Sequence, residues 1–244
     1  MINGNMTASG ESHQRSYIKA VLQNKLNNLY DYGLGRHDYD TSPSGCRECA
    51  AASVDDLKDR YWGKESSMDL AVRAVAFSKI VYGSLAYSRD YGDVHLVQLH
   101  NDPTFAAVFS TSSLFSSASY EITPSLDWLE RDLRQARAKG KIILLNLNQP
   151  FHWPVTEAQI RRFTKIIEDY GVTAAFAANA GTPSGMYESS NYVYGEIPLF
   201  TSGSATQQSW LHATFSEDRK QLTVNVIANN NWRQPVASHT IPIR

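Results

Sequence analysis

The sequence predicts an α/β fold in a single domain covering residues 1–244. Three observations lead there. The middle of the chain alternates amphipathic and apolar runs: helical spacing from Leu126 to Leu133, an apolar run over 141–146, helical spacing again from Ile160 to Ile167, and a second apolar run over 172–177. Buried strands alternating with helices indicate a parallel sheet with helices on its faces. From Glu196 onward the chain is β-rich instead. Several apolar runs also end in loops of Asn, Gly and His, and strand ends are where open α/β sheets bind ligands.

Taken in order, Asn3-Gly4-Asn5 closes a first short strand. Residues 11–30 follow as a helix, with Ile18, Val21, Leu22, Leu26 and Leu29 at helical spacing. The run Tyr32-Gly33-Leu34-Gly35 leads into Arg36-His37-Asp38, and residues 40–50 are turn formers in a long irregular loop. Residues 51–62 read as a helix carrying Val54, Leu57 and Tyr61 on one face. A strand is expected over 75–88, a turn at 89–92, and a returning strand over 93–99 in which His95 is a packed, sheet-face histidine. The Ser-, Phe- and Ala-rich run 105–120 has no clear period and reads as a loop or insertion. Pro124 suits a first helical turn, with Asp127 and Glu130 at the positive end of the dipole and Gly140 as the stop. Thr156 with Gln159 spells a capping box. Residues 210–215 and 221–228 alternate as hairpin arms around Glu217-Asp218-Arg219, and 236–243 forms a last strand.

Composition narrows the function classes. The chain has 42% hydrophobic residues, 23 basic and 24 acidic side chains and a net charge of −1. This suits one domain with a substantial core and gives no basic excess for a nucleic-acid partner. The Arg131, Arg134, Arg137 and Lys139 cluster reads first as a solvated helix face. No run is long and apolar enough to span a membrane, and the polar N-terminus carries no secretory signal. Cys46 and Cys49 leave three readings open: two free thiols, a small disulfide, or half of a zinc site lacking its other half. The compartment is left open between a cytoplasmic one and, if the two cysteines are bonded, an oxidising, extracellular one.

Four stretches carry a resemblance. Gly4-Asn5, Gly35-Arg36-His37-Asp38, Asn148 and Ala178-Asn179-Ala180-Gly181 follow the order and spacing of the motifs of the calcineurin-like metallophosphoesterases: Gly-Asp, Gly-Asn-His-Asp/Glu, a lone His, and Gly-His-x-His. The resemblance covers nearly the whole chain. It implies a four-layer αββα sandwich. The family's first motif, Asp-x-His, is absent, so its first strand and helix are expected to be missing, leaving a sheet edge open to a protein partner.

The same resemblance implies lost chemistry. The family's hydrolysis uses two metal ions about 3.5–4 Å apart, held by carboxylates, imidazoles and an amide oxygen. Here Asn5 stands for the bridging carboxylate and Arg36, a permanent cation, for the amide ligand. Asn148, Asn179 and Gly181 stand for three imidazoles. Of the family's set His37 and Asp38 remain, His37 at the position that protonates a leaving group. No metal cofactor is therefore expected. The resulting expectation is a catalytically inactive, metallophosphoesterase-like protein that binds or scaffolds, with Arg36, Asn5, Asn148 and Asn179 as binding residues and a phosphate-containing molecule or a protein as partner. The alternative is a metal-independent phosphoesterase in which His37 is the acid, Asp38 orients it and Arg36 replaces a metal's charge. A third reading, a shortened true phosphoesterase, conflicts with the replacements at 148, 179 and 181.

Overall fold

A computed structural model of the protein describes residues 1–39, 45–64, 66–114, 116–178, 184–187 and 192–244. Its elements are β1 (Ile2–Asn3), α1 (Ser12–Leu26), β2 (Tyr32–Gly33), α2 (Arg47–Tyr61), β3 (Ser67–Met68), β4 (Ala71–Val75), β5 (Ser78–Gly83), β6 (Tyr87–Tyr91), β7 (Val94–Gln98), β8 (Ala107–Ser112) and β9 (Ser117–Ile122). There follow α3 (Leu126–Ala138), β10 (Ile142–Leu147), α4 (Glu157–Asp169), β11 (Ala174–Ala177), β12 (Gly185–Met186), β13 (Leu199–Thr201), β14 (Trp210–Phe215), β15 (Gln221–Ile227) and β16 (Ala237–Pro242). The fold is mixed α/β, as the sequence predicts.

The centre is a seven-stranded sheet in the order β12-β13-β11-β10-β7-β6-β3, with β7, β10, β11 and β13 parallel. Strand β10 is buried on both faces, the expected state of a central parallel strand. Its side chains alternate between two cores. Ile143, Leu145 and Leu147 join Leu129 and Leu133 of α3 and Phe163 and Ile167 of α4. Ile142 and Leu144 face the antiparallel sheet β14-β15-β16 through Leu222, Val224 and Ile241. Helix α4 begins at the capping box anticipated from Thr156 and Gln159.

A third core lies under α2. Ala50, Val54, Leu57 and Tyr61 pack on the four-stranded sheet β4-β5-β9-β8 through Val81, Phe109 and Tyr120. This sheet corrects two sequence expectations. The single strand over 75–88 is three strands, because the left-handed residues Ala76 (φ 49°) and Leu85 (φ 65°) break it. The segment 105–120 is the β8–β9 hairpin, not a loop. Residues 89–91 likewise belong to β6 rather than to a turn. His95 on β7 is buried between Asp90 (Nδ1, 2.6 Å) and Asp132 of α3 (Nε2, 2.9 Å), the packed position its pattern suggested.

Cys46 and Cys49 are bonded to each other at the start of α2. Among the described residues no helix is long and apolar enough to cross a membrane.

Candidate functional site

Strands β1 and β2 pair in parallel as a small separate sheet, Ile2 opposite Tyr32 and Asn3 opposite Gly33. Their ends fit together because both carry glycine. A Cβ on Gly4, which also has φ 81°, would stand 2.4 Å from the Gly35 nitrogen; one on Gly35 would stand 2.3 Å from Asn5 Oδ1. With glycine at both positions the two backbones touch. Asn5, itself left-handed at φ 53°, then accepts the His37 amide on Oδ1 at 3.2 Å.

Asp38 locks this junction. Its Oδ1 accepts the Thr7 amide and hydroxyl, each at 2.8 Å, and its Oδ2 accepts the Gly35 amide at 3.0 Å and the Met6 amide at 3.3 Å. The side chain is buried. Ser53 of α2 donates to the Asp38 carbonyl at 2.6 Å, tying the turn to the helix. The carboxylate therefore serves the backbone of two loops. Arg36 and His37, two residues and one residue before it, are exposed, and among the described residues neither the guanidinium nor the imidazole has a hydrogen-bonding partner.

Amides join this junction to the large sheet. The Asn148 side chain, buried at the end of β10, donates to the Asn3 carbonyl at 2.7 Å. Asn3 Nδ2 donates to the Phe176 carbonyl of β11 at 3.1 Å, and Gln98 Nε2 at the end of β7 donates to Asn3 Oδ1 at 3.1 Å. Asn3 thus reaches three strand ends at once. The amide of Gln98 also fills the space beside Gly33, where a Cβ would meet it at 2.4 Å.

His100 completes the seam. Its Nδ1 accepts the Leu34 amide at 3.0 Å while Nε2 donates to the Leu85 carbonyl at 2.6 Å. The ring is therefore neutral with its proton on Nε2, and burial holds its pKa down at about 4. Next to it Asp102 is buried, its carboxyl pushed up by desolvation, although Thr104 and Asn101 donate to it.

The structure thus brings Asn5, His37, Asp38 and Asn148 to one seam between β1, β2 and the ends of β7, β10 and β11. Arg36 lies on the same turn. Asn179 and Gly181 lie outside the described residues. Sequence reading missed Gln98 and His100, although Gln98, His100, Asn101 and Asp102 close an apolar strand as Asn148 does. The stretch 151–153 that follows β10 serves the fold through Trp153. Trp153 is buried and donates to the Gln149 carbonyl at 2.8 Å, and Tyr194 donates to the Pro150 carbonyl at 3.0 Å. His152 is exposed at φ 61° beside Phe151.

Chemically the seam offers neutral amides, one exposed imidazole and one exposed cation. Two divalent ions need several anionic or imidazole ligands, and the carboxylate at hand is already occupied by four donors. Among the described residues no group of three or more His, Cys, Asp or Glu side chains is placed to hold a metal ion. No protein-family model matches the chain, and a search of curated proteins finds no significant relative.

Proposed function

We propose that this chain has a metallophosphoesterase-like, four-layer architecture whose catalytic centre has become a structural seam, and that it works by binding a partner rather than by hydrolysis. The observation that carries this reading is the occupation of Asp38. A carboxylate that accepts two hydrogen bonds on each oxygen from Gly35, Met6 and Thr7 is committed to the fold. The motif order supports the architecture, and the layering of α3 and α4, the seven-stranded sheet and the β14–β16 sheet is compatible with it. A fold without its ligand set defaults to recognition, since function belongs to sites and not to folds. The partner in this reading is a protein that adds to an open sheet edge. The edge strand β8 fits, since residues 103–120 contain no charged side chain to oppose pairing.

The test is metal content together with hydrolysis of a generic phosphodiester, with and without added manganese. Metal-free protein without activity is the expected result. Two equivalents of metal per chain, or manganese-dependent turnover, would overturn the reading. A second reading, metal-independent phosphoester cleavage, draws on the exposure of both Arg36 and His37 on one turn. It requires turnover that resists EDTA and vanishes in His37→Ala. Asp38 contributes no ring orientation in that scheme, because no hydrogen bond joins it to the His37 imidazole.

A further inference from the structure

Helix α1 is seated in an unusual way. Of its residues, Leu22 alone is buried, whereas α3 buries Leu126, Trp128, Leu129, Asp132, Leu133 and Ala136. An isolated helix of this length is marginal in water and needs tertiary packing to persist. Under α1 there is instead a cavity of about 230 Å³, with α2 as its opposite wall. Arg15, Lys19 and Leu22 line it from α1 at helical spacing, and Asp56 and Arg60 from α2. The helices are bridged by ions: Arg15 Nε lies 3.0 Å from Asp56 Oδ2, and Lys19 pairs with the other oxygen of Asp56. Side chains that face a void forgo the dispersion contacts a filled site supplies.

The cavity's chemistry selects a ligand. Its floor is apolar, from Ile18 and Leu22 to Tyr32 and Leu34. Three cations, Arg15, Lys19 and Arg60, meet two carboxylates, Asp56 and the hydrogen-bonded Asp38, which leaves one positive charge in excess. Arg60 lies over the Tyr30 ring at 4.0 Å and donates through Nη2 to the Asn28 and Tyr30 carbonyls and through Nε to the Tyr61 hydroxyl, while among the described residues Nη1 has no hydrogen-bonding partner. An excess of positive charge above an apolar floor favours one negative charge attached to an apolar body. A cavity of about 150 Å³ holds a benzene ring, so the volume here admits one ring and a short acid group. A bare phosphate would leave the floor unfilled, and a neutral hydrocarbon would leave the cations unanswered.

We infer that the α1–α2 cavity is a binding site for a small monocarboxylate with an apolar body, such as an aryl acid. The inference is independent of whether the amide seam is catalytic. It is tested by calorimetric titration of the purified full chain with phenylacetate and with its neutral isostere phenylacetamide, and by backbone amide shifts in NMR. The expected result is saturable binding of one phenylacetate, at least tenfold tighter than the amide. Shifts should concentrate in 15–23, 28–34 and 53–60. Lys19→Gln should weaken phenylacetate severalfold and leave the amide unchanged. Ile18→Trp, which fills the cavity, should abolish binding with the far-ultraviolet spectrum retained. Absence of saturation up to the solubility limit, equal affinity for acid and amide, undiminished binding by Ile18→Trp, or shifts centred elsewhere would each overturn the inference.

Discussion

The Leu34 amide donates to Nδ1 of His100 at 3.0 Å, and this bond crosses from the small β1–β2 sheet to the end of β7. The bond requires a neutral imidazole, since a protonated Nδ1 would face the amide as a second donor. The opposite nitrogen is already the donor to Leu85. Burial places the ring's pKa at about 4, below the 6.5 of a free histidine, although the bond to the Leu85 carbonyl works the other way.

A pH dependence follows with a definite sign. Between about pH 4 and 6.5 the unfolded chain binds a proton at His100 that the folded chain does not, so stability falls as pH falls through that window. The contribution is complete above 6.5 and gone near pH 4, a loss of about 3 kcal/mol. Urea denaturation of wild type and His100→Gln at pH 7, 5.5 and 4.5 measures it. The wild type should show the extra slope and the variant should lack it; parallel pH profiles would refute the assignment.

Asp38→Asn separates a structural carboxylate from a catalytic one. The amide oxygen can replace Oδ1 toward Thr7, but the –NH₂ then confronts the Gly35 and Met6 amides, two donors that lose their acceptor. Each buried donor left unmade costs about 1–3 kcal/mol, so the urea midpoint should drop by the equivalent of about 2–6 kcal/mol with an unchanged slope. Retention of wild-type stability would mean that the seam does not depend on this carboxylate.

What the sequence made legible and what it hid divide on physical lines. Helices α3 and α4 and strands β10 and β11 announce themselves through apolar period and capping, because their burial is set by one sheet face or two. The hairpin β8–β9 hid because its inward residues Phe109, Ala118 and Tyr120 alternate with serine, which is weakly polar and common in loops. The breaks at Ala76 and Leu85 hid because a left-handed backbone at a non-glycine residue leaves no compositional mark. Of the seam, Asn5, His37, Asp38 and Asn148 were marked by motif order. Their roles were not, since Asp38 is defined by donors from residues 6, 7 and 35 that only the folded chain assembles.

His95 gives an opposite pH sign. Burial alone would lower its pKa, but Asp132 and Asp90 on its two nitrogens outweigh that and raise it. Its stabilising contribution is full below pH 6.5 and is lost as pH rises through the raised folded value. Replacement by His95→Leu leaves Asp132 buried with Ser88, at 2.8 Å, as its remaining side-chain donor among the described residues. Removing one partner of a buried pair costs about 3–5 kcal/mol. Denaturation at pH 6 should show a loss near the lower end of that range, and the gap between wild type and variant should narrow toward pH 9. A gap that widens with pH would contradict the charged bridge.

The β8 edge supplies the last prediction. The opposite edge of its sheet, β4, carries Arg73 at its centre, and charge at an edge is a common guard against unwanted pairing. Strand β8 has no such guard: Ala107–Ser112 is uncharged and contains no proline. Val108 is 77% exposed, and Leu114 in the following turn is 95% exposed. An uncharged, proline-free edge can pair with a free strand, including one from another copy. Ser110 is exposed and lies opposite Ser119, so Ser110→Lys places a charge on the strand without entering the core. The substitution should change folding stability by no more than about 0.5 kcal/mol. Light scattering of concentrated protein at mild denaturant should rise severalfold more slowly for Ser110→Lys than for wild type, whereas Arg73→Ser on the other edge should accelerate it. If a partner protein docks by strand addition here, Ser110→Lys weakens that complex as well. Unchanged scattering in both variants would mean that neither edge governs self-association and that the partner surface lies elsewhere.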